Sequence, residues 1–152
     1  MNAALLIPFA VLCAGACGES PPKFAAPMTL LSITPEGSRR EEVSADVLNA
    51  GERVYAMRCT TCHADDGSGQ GPGSSGLKVK PRDFREAEFR YTSTGEGELP
   101  TDADLHATIR NGRIDTGMPA FPGLTEGDVT AVAHYLKTFS PRWQEPPPAK
   151  LP

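Results

Sequence analysis

Two thiols and an imidazole stand together in Cys59-Thr60-Thr61-Cys62-His63. Cysteines separated by two residues can share one helical turn, and both sulfurs can then add to the two vinyl groups of a haem as thioethers. A histidine directly after the second cysteine lies against the iron and offers a ring nitrogen. Cys-x-x-Cys-His is the attachment pattern for a c-type haem, and histidine is the usual proximal ligand. Two other chemistries use close cysteine pairs. A thioredoxin-type dithiol needs a βαβ setting, and this chain has no such pattern. A structural zinc site takes four ligands, usually with a second Cys or His pair downstream. The later histidines, His106 and His134, are too widely separated for that. The motif therefore points to one haem c, covalent through Cys59 and Cys62, with His63 on the iron.

The rest of the chain must position that group. Its 152 residues suit one domain with tails, and 15 glycines and 15 prolines require much loop and turn. A haem adds apolar volume that a small chain lacks. The net charge of −4 argues against a nucleic-acid partner, which calls for a basic face. Cys13 and Cys17 fall in the amino-terminal segment, so the domain keeps no thiol for a disulfide.

Ser44 is a candidate N-cap for a helix from Ala45 to about Arg58, with Val47, Gly51, Val54 and Tyr55 on one face. Thr101 caps a helix with Leu105, Thr108 and Ile109 on its apolar face, ended by Asn111-Gly112. On this helix His106 is expected to face solvent; it is also a fallback ligand. Thr125 caps a last helix, with Val129, Val132, Ala133, Leu136 and Phe139 on one face and Tyr135 beside it. Between them, Phe89 to Ser93 is expected as a short strand before the turn Thr94-Gly95-Glu96-Gly97.

Gly51-x-x-x-Tyr55 before the haem motif and Val132-x-x-Tyr135-Leu136 near the end resemble the crossing terminal helices of class I bacterial cytochromes c. The resemblance covers about Ser44 to Phe139. It implies an all-α class I cytochrome c fold, with crossing terminal helices around one covalent haem c and an extended loop over the haem edge. Gly51 would allow close approach of the two backbones, which offsets the roughly 1 kcal/mol that a helical glycine costs. The resemblance further implies that Pro72, in Gly71-Pro72, presents the carbonyl that accepts the proximal Nδ1–H. It places Met118, in Thr116-Gly117-Met118-Pro119, as the distal iron ligand. The basic stretch from Leu77 to Pro100 would cover the haem propionates, with Arg82 as the first candidate donor and a solvated loop or docking patch as the alternative.

Residues 1–16 read as a signal peptide, apolar but too short to span a bilayer as a mature helix. Ala14-Gly15-Ala16-Cys17 resembles a lipoprotein cleavage site, which implies lipid attachment at Cys17; ordinary cleavage after Ala16 is the alternative. Residues 17–43 are expected as a linker or tether. Its apolar Phe24, Met28, Leu30, Leu31 and Ile33 would dock on a partner or rest on the domain. Residues 44–140 form the cytochrome domain, and 141–152 a Pro-rich tail whose Trp143 packs back or anchors a partner.

Together these readings imply single-electron transfer at the periplasmic side of a bacterial membrane, with redox proteins or a respiratory complex as partners. A fixed subunit of a membrane oxidoreductase is an alternative, and a gas-binding or peroxidase-like haem protein a further one. No catalytic residue is expected, because no acid–base pair stands out beside the haem motif.

Overall fold

Two helices cross at a glycine. A computed structural model describes residues 21–144, and the expected leader, Cys17 and residues 145–152 lie outside it. Helix α1 (Ala45–Arg58) starts at Ser44, whose hydroxyl accepts from the Val47 amide. Helix α4 (Glu126–Lys137) starts at Thr125, which exchanges bonds with Asp128 in a capping box. A Cβ on Gly51 would land on the Ala131 carbonyl and 2.8 Å from the Tyr135 Cβ. Only glycine lets the backbones meet this closely. Leu48, Val54 and Tyr55 form the buried face of α1. Val47, expected on that face, is 36% exposed, whereas Leu48 is fully covered. The stripe is wider than expected because Leu48 packs under the chain before the helix, against Leu30 and Val43.

Helix α2 (Thr60–His63) is a single turn carrying Cys62 and His63, with Cys59 at its N-cap. Helix α3 (Asp102–Asn111) opens with a capping box between Thr101 and Asp104 and packs on α4 through Leu105 and Ile109. Tyr55, Tyr135 and Phe139 meet at ring-centre distances of 5.2 and 5.3 Å and join the helices in one aromatic core. Phe139 belongs to it although α4 closes at Lys137.

The fold is not all-α, and this corrects the expectation. Strands β1 (Met28–Thr34) and β2 (Gly37–Val43) pair antiparallel from Met28↔Val43 to Thr34↔Gly37, within the stretch expected to be a tether. Leu30 packs with Val43 and Leu48, and Leu31 enters the main core. A polar clasp holds the hairpin in place. The fully buried Lys137 ammonium donates to the Leu31 carbonyl at 2.9 Å and to Asp102 at 2.7 Å. Asp102 also accepts from the Ser32 hydroxyl at 2.9 Å and the Ile33 amide at 3.3 Å. Upstream, the Asn49 side-chain amide bonds both backbone groups of Phe24. The apolar residues of the expected tether thus cover α1 and α4.

One further local expectation changes. Phe89 to Ser93 forms no strand. Asp104 takes the Ser93 amide and hydroxyl, each at 2.9 Å, and pins that segment to α3 instead. The tail opens with a 3-10 turn, Pro141–Trp143, whose tryptophan is 1% exposed and meets Phe89 edge to face. No helix among the described residues is long and apolar enough to cross a membrane.

Candidate haem site

Cys59, Cys62, His63 and Met118 all line one cavity, walled by Leu105 and Ile109 of α3, Val132 and Leu136 of α4, and Leu77, Val79, Phe84 and Phe89 of the connecting loop. It holds about 1320 Å³ of space not filled by atoms, its open mouth included. Its wall is mainly apolar, which suits a large flat apolar group.

The loop after His63 wraps around α2. The Gly69 amide donates to the His63 carbonyl at 2.9 Å, the Gly71 amide to the Cys62 carbonyl at 3.1 Å, and the Phe84 amide to the Gly67 carbonyl at 2.8 Å. A Cβ on Gly71 would strike the Thr60 and Thr61 carbonyls, so the loop needs glycine at this contact. This wrapping brings Phe84 flat against the His63 ring, with centroids 4.4 Å apart and planes within 17°.

The carbonyl that meets His63 Nδ1 belongs to Arg82, at 3.1 Å, and not to Pro72. Pro72 opens a 3-10 turn, Pro72–Ser74, beside α2; the chain runs on before passing the imidazole. With Nδ1 donating to this carbonyl, Nε2 keeps its lone pair and has no partner among the described residues. That is the tautomer a metal ligand requires. Burial lowers the His63 pKa; the Arg82 carbonyl opposes this and the Arg82 charge adds to it. Burial thus favours the neutral ring, the form that coordinates a metal.

Burial, with a smaller contribution from Cys62, pushes the Cys59 thiol up to about 12. Reactive dithiols instead have depressed values, so the site does not prepare a thiolate for disulfide exchange. Both cysteines are free, as thioether attachment needs.

Met118 reaches the cavity from the loop after α3. Arg113 and Met118 form an antiparallel bridge with bonds of 2.9 and 3.1 Å, closed by a 3-10 turn and by Gly117 at φ 90°. Met57 is 70% exposed, and Met28 lies in β1. His106 is half-buried and does not line the cavity. Arg82 is among the lining residues, and its guanidinium has no hydrogen-bond partner among the described residues; burial and then Arg90 lower its pKa.

The arrangement brings together Cys59, Cys62, His63, Met118 and Arg82 and leaves Pro72 aside. The motif reading missed the Arg82 carbonyl, the Phe84 stack and Arg113. Pro81 carried a weak signal, because it holds Lys80 in extended backbone just before this stretch. For Arg113 the signal was a cation directly after the helix-ending Gly112.

The family model for cytochrome c oxidase, cbb3-type, subunit III, matches residues 46–136. A solved chain of the Kuenenia stuttgartiensis reducing HAO-like protein complex is 36% identical, with a TM-score of 0.60. That match covers 65% of this chain and 46% of the other, so this chain spans less than half of that relative's length. No curated protein matches the chain.

Proposed function

The chain belongs to the cbb3-type cytochrome c oxidase subunit III family, a family of c-type cytochromes, and on that premise we propose that it carries single electrons through one haem c. The convergence of Cys59, Cys62, His63 and Met118 on one apolar cavity supports this reading.

Cys59 and Cys62 would hold the haem as thioethers, and His63 would offer Nε2 to the iron while the Arg82 carbonyl keeps the proton on Nδ1. Met118 would take the sixth position; a thioether is a soft ligand that suits ferrous iron and raises the potential. When bound, the haem supplies the one-electron redox couple. With His63 and Met118 both offered to the iron, the chain would leave no coordination site for a substrate and would keep water from the haem's apolar faces. That favours a carrier over a gas-binding or peroxidase-like protein. The Ala14-Gly15-Ala16-Cys17 leader supports export to the periplasmic side of a bacterial membrane, with a lipid on Cys17.

A second reading has its own support. The matching family is named for an oxidase subunit, and the solved relative comes from a protein complex. In this reading the chain is a fixed electron-transfer subunit of a larger oxidoreductase. Haem-stained native electrophoresis of membranes solubilised in mild detergent separates the two. Haem at the mass of one small chain supports a carrier; haem in a large assembly supports a subunit. A purified chain whose haem is released by acidified organic solvent would refute covalent attachment, and with it both readings.

A further inference from the structure

Arg113 is a half-buried cation on the cavity wall that makes no ion pair among the described residues. Its backbone is held on both sides by the bridge to Met118. Its guanidinium carbon lies 4.2 Å from the centre of the Tyr91 ring, which orients the plane by cation–π attraction. Of its five N–H donors, only Nη2 has a partner among the described residues, the Thr108 hydroxyl at 3.4 Å. Nε is sealed from water and has no partner.

The nearby acids are committed elsewhere. Asp115 accepts from the Tyr91 hydroxyl at 2.9 Å. Asp104, also on the wall, is held by Ser93 and Thr101. Leaving a buried charged donor unsatisfied costs free energy, so the occupant of the cavity is the natural source of the anion. Arg82 is differently placed: its carbonyl serves His63, and it stands near a second cation, Arg90.

We propose that Arg113 binds a haem propionate, with Tyr91 holding the guanidinium plane in place. The inference rests on the covalent-haem reading and adds to it the residue that fixes the cofactor's polar edge. A planar fork of donors matches a carboxylate, which is the geometry arginine supplies and lysine does not.

The test is resonance Raman spectroscopy of the haem-loaded full chain as wild type, R113Q, R113K and R82Q. The propionate bending band reports hydrogen bonding to the carboxylate. It should shift in R113Q, lie between the two in R113K and stay in place in R82Q, while the spin-state marker bands remain constant in all four. The potential of R113Q should also fall, because a positive charge near the iron is lost. A band unmoved in both Arg113 variants, or moved only in R82Q, would overturn the assignment. If R113Q does not accumulate, R113K decides alone. Wild-type protein without covalent haem would instead remove the reading beneath the inference.

Discussion

His63 Nδ1 and the carbonyl of Arg82, nineteen residues later, meet at 3.1 Å. The contact uses backbone, so the identity of the side chain at position 82 is free of this duty. R82A should keep the low-spin absorption spectrum of the wild type; conversion to a high-spin spectrum would contradict the backbone role. F84A removes the ring stacked on His63 and leaves a cavity, at about 3–5 kcal/mol. Denaturant titration of the haem-loaded protein measures that loss.

Met118 is the cavity's only methionine among the described residues. M118A should abolish the methionine–iron charge-transfer band and allow the ferrous protein to bind carbon monoxide. A spectrum identical to wild type, with no carbon monoxide adduct, would remove Met118 from the iron.

Gly51 sits where α1 meets the Ala131 carbonyl. G51A must push the helices apart, and overpacking of this kind costs about 1–3 kcal/mol. The urea midpoint should drop accordingly. An unchanged midpoint would mean that the crossing yields without cost.

Asp102 neutralises Lys137, whose side chain is 1% exposed. Burial lowers the Lys137 pKa and Asp102 opposes that shift. D102A leaves the ammonium buried without its carboxylate, and breaking a buried pair costs about 3–5 kcal/mol. The double variant D102A/K137M should recover part of that loss, as equilibrium unfolding of the single and double variants would reveal. A fully additive double variant would show that the two residues act independently.

His134 and His106 titrate below the ordinary histidine value of 6.5. Burial is the main cause for both. For His134, Lys137 and His106 add to the shift while Glu41 and Asp102 oppose it; for His106, Lys137 and Arg110 add while Asp102 and Glu126 oppose. As pH falls, the unfolded chain takes up protons before the folded one. The stability from these neutral rings is complete above about pH 6.5 and declines as pH falls below it. The urea midpoint should therefore drop as pH falls below about 6.5, and H134Q should flatten the decline. A wild-type midpoint constant across that range would exclude the linkage.

What the sequence determined by itself was local. Cys-x-x-Cys-His defines a chemistry within five residues. Ser44, Thr101 and Thr125 cap their helices because each hydroxyl reaches an amide three residues on. The helix patterns located the crossing, and the Gly/Pro context of Met118 located a residue that does reach the cavity. Tertiary structure decided the rest. Strand β2, Gly-Ser-Arg-Arg-Glu-Glu-Val, has no apolar alternation, because most of it is solvent-exposed. Only Pro35-Glu36-Gly37 hinted at the hairpin, by its turn chemistry. The strands persist because Leu30, Leu31 and Val43 are buried and the Asp102–Lys137 clasp, formed by α3 and α4, secures β1. The carbonyl beneath His63 was likewise undecidable locally: every residue of the loop carries one, and the packing of 67–84 around α2 selects Arg82 over Pro72. Caps and motifs act over a few bonds, whereas strand support and carbonyl placement depend on groups far apart in the chain.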